Sequence, residues 1–206
     1  GSILEAENVF LSLPQRDIST WNSILSAYLD KDEGEKVLYL YGVMQGNGVS
    51  PDERTSVTAL QACCMLSSKE EPVFIKGNSM KKKSLDIGRA LHADAQRKGF
   101  DADAFVCSTL VNMYGKCGCL EEAERIFTSM GNSNAITWNV MAATYAQNGY
   151  GHEALTCFEH MQNEGLSANT VTFVCALKAC ACIQAIDKGK EIHSEIVSRR
   201  LLKTDV

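Results

Sequence analysis

Proline, basic charge and long apolar runs are all scarce in this sequence. Three of its 206 residues are proline, whereas strand-rich folds need many turns, so the composition favours helices. No apolar run approaches the roughly 18 residues of a membrane-spanning helix, and no signal or transit peptide stands at the start. We therefore expect no membrane partner, and we expect any targeting segment to have been removed or to lie outside these residues.

Basic residues are outnumbered by acidic ones, 20 against 25, which gives a formal net charge of −5. Non-specific nucleic-acid binding depends mainly on lysine and arginine at the phosphates, so this balance argues against a general polyanion binder. Any nucleic-acid binding would have to come from a local surface and from contacts with the bases.

Cysteine, by contrast, is abundant, with nine residues. Most lie in apolar stretches with helical spacing, where a free thiol packs as a small hydrophobe, so we expect a reducing compartment. Cys117 and Cys119 are separated by one residue, as are Cys180 and Cys182, whereas zinc ligands are usually separated by two to four. The sequence therefore predicts neither a metal site nor a cofactor.

The chain repeats itself. Residues 1–65 align without gaps with residues 118–182. Matched pairs include Phe10 with Phe127, Trp21 with Trp138, Asn22 with Asn139, and Met44 with Met161. The matched residues of this stretch are 117 positions apart, whereas Gly88 and Gly189 are 101 apart. About sixteen residues are therefore inserted near 69–84. Repeats of this kind indicate stacked supersecondary units.

Each unit has the pattern of two amphipathic helices joined by a short turn. Apolar residues recur at intervals of three to four, as at Leu120, Ala123, Phe127 and Met130. A single helix pair cannot bury its apolar face, whereas stacked pairs form a continuous core with a concave side. The sequence therefore predicts an all-α solenoid of stacked helix-turn-helix repeats.

Three segments carry a resemblance to a known family: residues 105–127, 136–166 and 170–197. They resemble the S, P and L repeat variants of plant pentatricopeptide repeat (PPR) proteins, in the cyclic order usual for the PLS-type subfamily. The resemblance covers nearly the whole chain outside the insertion. It implies a right-handed superhelical solenoid (an α-α superhelix), and the incomplete first repeat implies a fragment of a longer array.

The resemblance divides the chain into six repeats that together form one solenoid domain. They are a partial S-type repeat at 1–17, a P-type repeat at 18–52, an L-type repeat with the insertion at 53–103, an S-type repeat at 104–134, a P-type repeat at 135–169 and an L-type repeat at 170–205.

Proteins of this kind bind single-stranded RNA in plant mitochondria or chloroplasts, where they position transcripts for C-to-U editing, processing or stabilisation. Their repeats read about one base each through two or three side chains. The resemblance therefore implies RNA binding without a small-molecule substrate. The alternative is a protein-interaction scaffold that recruits small organelle editing cofactor proteins through the groove, and the acidic balance suits it.

In the family, one base-reading side chain follows the aromatic position of the first helix, and the other is the last residue of the repeat. The matching pairs here are Asn22 with Asp52, Ser108 with Asn134, and Asn139 with Asn169. By the family's tendencies these pairs favour U, A, and C or U, so we expect the reading U-x-A-(C/U) from 5′ to 3′.

The L-type repeats offer weaker readers, because valine cannot hydrogen-bond. These pairs are Val57 with Asp103 and Val174 with Asp205. Phe105 and Ile136 lie where the family sandwiches each base between apolar side chains.

A structural interpretation of the reading residues remains open. Asp52, Asn134 and Asn169 each precede a predicted helix, where Asp and Asn are natural N-caps. Asn22 and Asn139 would then be ordinary polar positions of a first helix. Capping and base reading can also coexist.

The insertion near 69–84 holds five lysines and two glutamates. The simplest expectation is a flexible surface loop. Alternatively, Lys81, Lys82 and Lys83 contact RNA phosphates, or Phe74 and Ile75 dock a partner.

Enzyme motifs are missing from the sequence. His193-Ser194-Glu195 matches the H-x-E half of a zinc deaminase signature, but no C-x-x-C occurs anywhere. His193 aligns with His92, so we expect a partly buried structural histidine rather than a ligand. No phosphate loop, nucleophile elbow or paired acid motif is present, and we expect no enzyme.

Overall fold

The computed structural model describes residues 3–75, 78–130 and 134–199. It divides into two compact units, Gly1–Cys119 and Leu120–Val206. Within the described ranges, no helix is long and apolar enough to cross a membrane.

The first unit contains six α-helices, a 3₁₀ turn and a small hairpin among its described residues. They are α1 (Ile3–Ser12), α2 (Ile18–Leu29), α3 (Gly34–Gly46), α4 (Glu53–Lys69), β1 (Val73–Ile75), β2 (Asn78–Met80), α5 (Lys82–Arg97), the 3₁₀ turn Phe100–Ala102, and α6 (Ala104–Lys116). Helix α4 packs against α2, α3, α5 and α6, so neighbouring helix pairs stack on one another.

The second unit contains five α-helices within its described residues. They are α7 (Leu120–Ser129), α8 (Ala135–Gln147), α9 (Gly151–Asn163), α10 (Thr170–Cys182) and α11 (Ile186–Ser198). Helix α8 packs against α7, α9 and α10, and α10 packs against α9 and α11. This is the same stacking of helix pairs as in the first unit.

Five helices begin at the first residue of a predicted repeat. These first helices are α2, α4, α6, α8 and α10, and the helices that follow them in the repeats, α3, α5, α7, α9 and α11, are the second helices. The predicted all-α architecture of helix pairs is thus confirmed, and the assignment of each repeat to a type stays a prediction.

Each unit has its own apolar core between stacked pairs. In the first unit Trp21, Leu25, Val37 and Met44 are almost completely buried, and in the second unit Phe158, Phe173, Ala179 and Ile192 are. Buried core residues recur every three to four positions along a helix, as Trp21, Leu25 and Tyr28 do on α2 and Phe173, Ala176 and Ala179 do on α10, and this is the pattern that predicted the solenoid.

Close helix packing depends on a glycine at the start of a second helix. A Cβ atom added at Gly151 would lie 2.6 Å from Cγ2 of Ile183 and 2.9 Å from the carbonyl oxygen of Ala179. At the matching Gly34 it would lie 3.0 Å from the carbonyl oxygen of Ala62. The missing side chain therefore lets α3 approach α4 and lets α9 approach α10.

The insertion forms a short antiparallel hairpin rather than an irregular loop. Strand β1 pairs with β2, with Val73 opposite Met80. Gly118, at a φ of 78°, lies under the hairpin so closely that a Cβ atom there would be 2.1 Å from the carbonyl oxygen of Ser79. The hairpin is therefore packed against the turn that follows α6.

Candidate nucleic-acid interface

All five first helices are capped at their N-termini by an aspartate or asparagine side chain. The caps are Asp17, Asp52, Asp103, Asn134 and Asn169. By contrast, the residues preceding α3, α5, α9 and α11 provide no side-chain cap. The expected caps Asp52, Asn134 and Asn169 are thus confirmed, and the last residue of each of the first five predicted repeats lies at the start of the next first helix.

Asn22 and Asp52 contact each other directly. Nδ2 of Asn22 lies 3.1 Å from Oδ1 and 3.0 Å from Oδ2 of Asp52, while Oδ1 of Asn22 accepts a hydrogen bond of 2.7 Å from the Thr55 hydroxyl. Asn22 and Thr55 are buried, and Asp52 is half-buried. These three residues, which we call the Asn22 triad, form one polar cluster where α2 meets the start of α4.

The Asp52 carboxyl is held in its ionised form. Partial burial alone would raise its pKa, but the hydrogen bonds from Thr55 and Asn22 outweigh burial and lower the pKa below its ordinary value. An ionised carboxylate only accepts hydrogen bonds, so Asp52 offers acceptors and no donor.

The second predicted P-type repeat has the same positions but a different bonding pattern. Oδ1 of Asn169 accepts from the backbone N–H of Thr172 at 3.1 Å and from its hydroxyl at 3.2 Å. Oδ1 of Asn139 is buried and has no hydrogen-bond partner among the described residues. Asn139 is therefore on α8 in the place that Asn22 holds on α2, but it is not locked into a triad.

The third predicted pair is divided between the two units. Ser108 lies on α6, where its hydroxyl donates to the carbonyl oxygen of Ala104 at 2.7 Å. Asn134 caps α8 by accepting from the backbone N–H groups of Ile136 and Thr137. The Ser108 hydroxyl thus retains acceptor capacity.

The weaker readers lie at the matching sites of the L-type repeats. Val57 is half-buried and Val174 is exposed. Asp103 caps α6 through the backbone N–H groups of Phe105 and Val106. Asp205 lies outside the described residues.

Exposed apolar side chains stand at the second position of several first helices. Phe105 is 72% exposed and Ile136 is 57% exposed. Val171 on α10 is 56% exposed at the same position. It does not appear among the expected base-sandwiching residues, although it too is the second residue of its repeat. Arg54 takes this position on α4 and is also exposed; its planar guanidinium can stack on a base as well.

Glu70 anchors the basic end of the insertion. Its carboxylate accepts hydrogen bonds from the backbone N–H groups of Lys83 and Ser84, both at 2.8 Å, and so caps α5. The amine of Lys81 donates to the Glu70 carbonyl oxygen, which engages Lys81 within the protein. Lys82 and Lys83 are exposed, and neither has an ion-pair partner among the described residues.

The lysines lie far from the Asn22 triad along α4. The helix has 17 residues, and a rise of 1.5 Å per residue makes it about 25 Å long. Asp52 precedes one end of α4, and the hairpin follows the other, so the lysine side chains and the proposed base-reading side chains occupy opposite edges of the first unit.

Cysteine and histidine side chains form no metal cluster within the described ranges. Eight of the nine cysteines are buried free thiols, and Cys182 is exposed. His92 is half-buried and lies 2.9 Å from the hydroxyl of Tyr114, but His193 is exposed. The expectation of a partly buried His193 was wrong, because it follows the buried Ile192 and points about 100° away from it around α11.

Sequence comparisons agree with this architecture. Residues 16–65 and 133–182 match the PPR repeat family, and residues 105–134 match the PPR repeat. The mitochondrial pentatricopeptide repeat-containing protein At3g02330 of Arabidopsis thaliana is 37% identical over 172 residues, which cover 84% of this chain and 17% of that protein. Chloroplastic CRR2 of the same plant is 36% identical over 203 residues, which cover 98% of this chain and 29% of CRR2. The chain thus spans less than a third of either relative.

Solved structures show the same fold. The pentatricopeptide repeat protein PPR10 from maize superposes with a TM-score of 0.65 at 22% identity, over 96% of this chain and 27% of PPR10. PPR10 in complex with an 18-nt psaJ RNA element gives a TM-score of 0.53 at 16% identity, over 95% of this chain and 32% of that one. The fold class predicted from the sequence, an all-α solenoid of helical repeats, is confirmed. The chain belongs to the pentatricopeptide repeat family.

Proposed function

We propose that this chain binds single-stranded RNA sequence-selectively, with each first helix and the cap of the next one reading a base. The observation that carries the proposal is the Asn22 triad, in which a side chain of one first helix meets the N-cap side chain of the next. The same two positions recur as Asn139 on α8 and as Asn169, the N-cap of α10, and these two helices pack together. RNA bound to maize PPR10 supports the proposal through the shared fold.

The Asn22–Asp52 pair suits the edge of uracil. Asp52 offers only acceptors, and it therefore matches a base whose edge carries a ring N–H, as uracil does at N3. Asn22 has a second N–H left for the neighbouring keto oxygen. Cytosine presents a ring acceptor instead, and this acceptor would be repelled by the carboxylate, which also only accepts hydrogen bonds. This chemistry agrees with the preference for U that the resemblance implies.

The Asn139–Asn169 pair suits cytosine or uracil. The carbonyl of Asn169 already caps α10, so its amide N–H groups remain as donors toward the ring acceptor of cytosine. The carbonyl of Asn139 is buried and unpartnered, so the amide has to turn toward solvent before this carbonyl can accept from an exocyclic amino group. The Asn139 amide can also rotate to present an N–H group instead of its carbonyl, which accounts for uracil as the second base.

In this proposal the valines Val57 and Val174 act as spacers with little preference, and the preference of Ser108 with Asn134 for A stays an expectation from the resemblance. The exposed side chains Phe105, Ile136 and Val171 sandwich bases. Aromatic stacking contributes about 1–3 kcal/mol per base in single-stranded nucleic-acid binding. Such contacts do not depend on net positive charge, which this chain lacks.

The relatives point to a plant organelle, since those named above are mitochondrial and chloroplastic. We place the chain in one of these compartments, in a protein of the PLS subfamily. Its role there is recognition of a transcript for C-to-U editing, processing or stabilisation, without catalysis by these repeats.

A protein-interaction scaffold is the second candidate function. The observation that favours it is the hairpin, on which Val73 and Phe74 are 49% and 76% exposed. An exposed apolar pair on an acidic protein suits a small editing cofactor protein as partner. This function and RNA binding would use different surfaces.

Fluorescence anisotropy with a short RNA containing U-x-A-C tests the proposal directly. A scrambled RNA and the matching DNA serve as competitors at two salt concentrations. Asn139→Ala removes a proposed reader, and Asn163→Ala removes an exposed asparagine from the second helix α9 as a matched control. We expect the matched RNA to bind most tightly, and Asn139→Ala to weaken it at least about fivefold, which is the worth of one hydrogen bond.

The salt series separates base reading from phosphate contact. If Lys82 and Lys83 contact phosphates, replacing both with glutamine weakens the binding of matched and scrambled RNA by the same factor. The ratio of the two affinities then stays unchanged. Equal binding of all three nucleic acids, abolished by salt, would contradict base reading. No binding at high concentration would favour the scaffold function.

A further inference from the structure

The hydroxyl of Thr55 stands between the two proposed base-reading side chains. It lies 2.7 Å from Oδ1 of Asn22 and 2.6 Å from Oδ1 of Asp52, and it accepts from the backbone N–H of Asp52 at 3.2 Å. Thr55 is completely buried. A threonine hydroxyl has one proton, so it can donate to only one of the two oxygens at a time.

The surrounding donors decide where that proton goes. Oδ1 of Asp52 already receives the backbone N–H of Thr55 at 2.8 Å and the amide of Asn22. Oδ1 of Asn22 has no other donor among the described residues. A buried carbonyl without a donor is unfavourable, so the Thr55 hydroxyl proton belongs to Asn22, and the Asp52 carboxylate keeps the bonds from the Thr55 backbone N–H and the Asn22 amide.

The amide of Asn22 then has a single orientation. Turning it over would place its carbonyl against the Asp52 carboxylate, where two acceptors repel, and its N–H group against the Thr55 hydroxyl. In the observed orientation the carboxylate holds Nδ2 from one side and the hydroxyl holds Oδ1 from the other. One N–H of Asn22 remains for a ligand.

We propose that Thr55 is a positioning residue for base selection, because its hydroxyl fixes the Asn22 amide as a donor beside the acceptor Asp52. The inference rests on the proposed function and adds a third side chain to the recognition of this base. With the amide fixed, the cluster accepts a keto base such as uracil and rejects cytosine. With the amide free to rotate, both pyrimidines find a partner.

Thr172 supplies an internal comparison. It stands three residues after Asn169, as Thr55 stands three residues after Asp52, and it closes the same kind of capping box. Its hydroxyl is bonded to Asn169, and Oδ1 of Asn139 has no partner. Loss of the Thr172 hydroxyl thus removes one of two bonds to the Asn169 carbonyl, which keeps the bond from the Thr172 backbone N–H, and it leaves the amides of Asn22 and Asn139 untouched.

Three variants of the whole chain separate positioning from capping. Thr55→Val removes the hydroxyl at constant shape, Thr55→Ser restores it, and Thr172→Val removes the matching hydroxyl outside the triad. Two RNAs that differ only in uridine or cytidine at the first read position serve as probes. NMR of the Asn22 side-chain amide in the ¹⁵N-labelled free protein reports its orientation without any RNA.

Wild-type protein should prefer the uridine RNA, and Thr55→Val should reduce the ratio of the two affinities at least about fivefold, the effect of one hydrogen bond. Thr55→Ser should restore the ratio, and Thr172→Val should leave it unchanged. In the free protein, the Asn22 amide signals should shift and exchange faster with water in Thr55→Val alone.

Two results would overturn the inference. The first would leave RNA recognition intact, and the second would refute base reading as well. Unchanged Asn22 amide signals and an unchanged uridine preference in Thr55→Val, with the preference lost in Asn22→Ala, would refute positioning and leave RNA recognition intact. A wild-type chain that binds both RNAs equally would refute base reading itself, and the inference with it.

Discussion

Trp21 and Phe10 meet edge to face, with ring centroids 4.8 Å apart and ring planes at 74°, and Trp138 and Phe127 repeat this contact at 4.8 Å and 70°. Each tryptophan directly precedes a proposed base-reading asparagine. The indole N–H of both has no hydrogen-bond partner among the described residues. Packing therefore fixes these rings, and through them the helix turn from which the asparagine projects.

Trp21→Ala should destabilise the first unit by about 3–5 kcal/mol, the usual cost of removing a large buried aromatic side chain. Trp21 is 1% exposed, so the substitution leaves a cavity under α2. Urea unfolding measures the loss. Phe105→Ala is the control: it should change stability by less than about 0.5 kcal/mol and weaken RNA binding instead. A stable Trp21→Ala protein would show that the ring does not anchor the helix.

Gly151→Ala should destabilise the second unit by about 1–3 kcal/mol, because overpacking forces neighbouring groups apart. The new methyl group would meet backbone as well as side chain, at Ala179 and Ile183. Thermal unfolding of the whole chain measures the effect.

Gly42→Ala is the matched control for that substitution. Gly42 also lies in a second helix, α3, but no atom lies within 4 Å of its added Cβ. Alanine there should stabilise by about 0.5–1 kcal/mol through helix propensity. Equal effects of the two substitutions would contradict the close approach of α9 to α10.

The ionised Asp52 should make stability depend on pH in the acid range. Its folded pKa lies below its ordinary value, whereas the unfolded chain titrates near pH 3.9. The stabilisation is therefore complete above the unfolded pKa and is lost as pH falls through the folded pKa. Unfolding of wild type and Asp52→Asn between pH 7 and pH 2 isolates this contribution.

Asparagine retains the N-cap, so Asp52→Asn removes the charge while leaving the helix start in place. The stability difference between the two proteins should shrink steadily below about pH 4. A difference that stays constant down to the lowest pH would mean that the carboxylate is not selectively stabilised in the folded chain.

Much of the candidate site follows from the repeat pattern. The matching of Asn22 with Asn139 and of Asp52 with Asn169 depends on sequence spacing alone. The structure places Asn22 against Asp52 in the first unit, and in the second unit it places Asn139 on α8, which packs against the helix that Asn169 caps. The caps were also predictable, because Asp and Asn precede an apolar periodic run. Val171 was equally predictable, because it is the second residue of its repeat, as Phe105 and Ile136 are of theirs.

The bonding states of the two asparagines could not be predicted by alignment. Asn22 and Asn139 are the same residue at the same repeat position, yet one is locked and the other has an unpartnered carbonyl. The difference depends on the orientation of amide and hydroxyl groups, which spacing does not encode. The hairpin escaped prediction for another reason, since three-residue strands are too short for a periodic pattern.

Asn169→Asp should convert the open pair into a second triad. The new carboxylate would attract Nδ2 of Asn139, as Asp52 attracts Nδ2 of Asn22, and would turn the Asn139 carbonyl toward the Thr172 hydroxyl. We expect the base preference of this repeat to move toward uridine by at least about fivefold. Affinities for RNAs with uridine or cytidine at that position measure the change.

Thr172→Val then distinguishes a triad from a simple change of charge. In the wild-type chain this substitution should leave base preference unaltered, because the backbone N–H of Thr172 still holds the Asn169 carbonyl and Thr172 does not hold Asn139. In the Asn169→Asp background it should abolish most of the gained uridine preference, since the Asn139 carbonyl would lose its donor. If the preference survives, the carboxylate acts on the base directly, and the hydroxyl of the following threonine has no part in selection at either repeat.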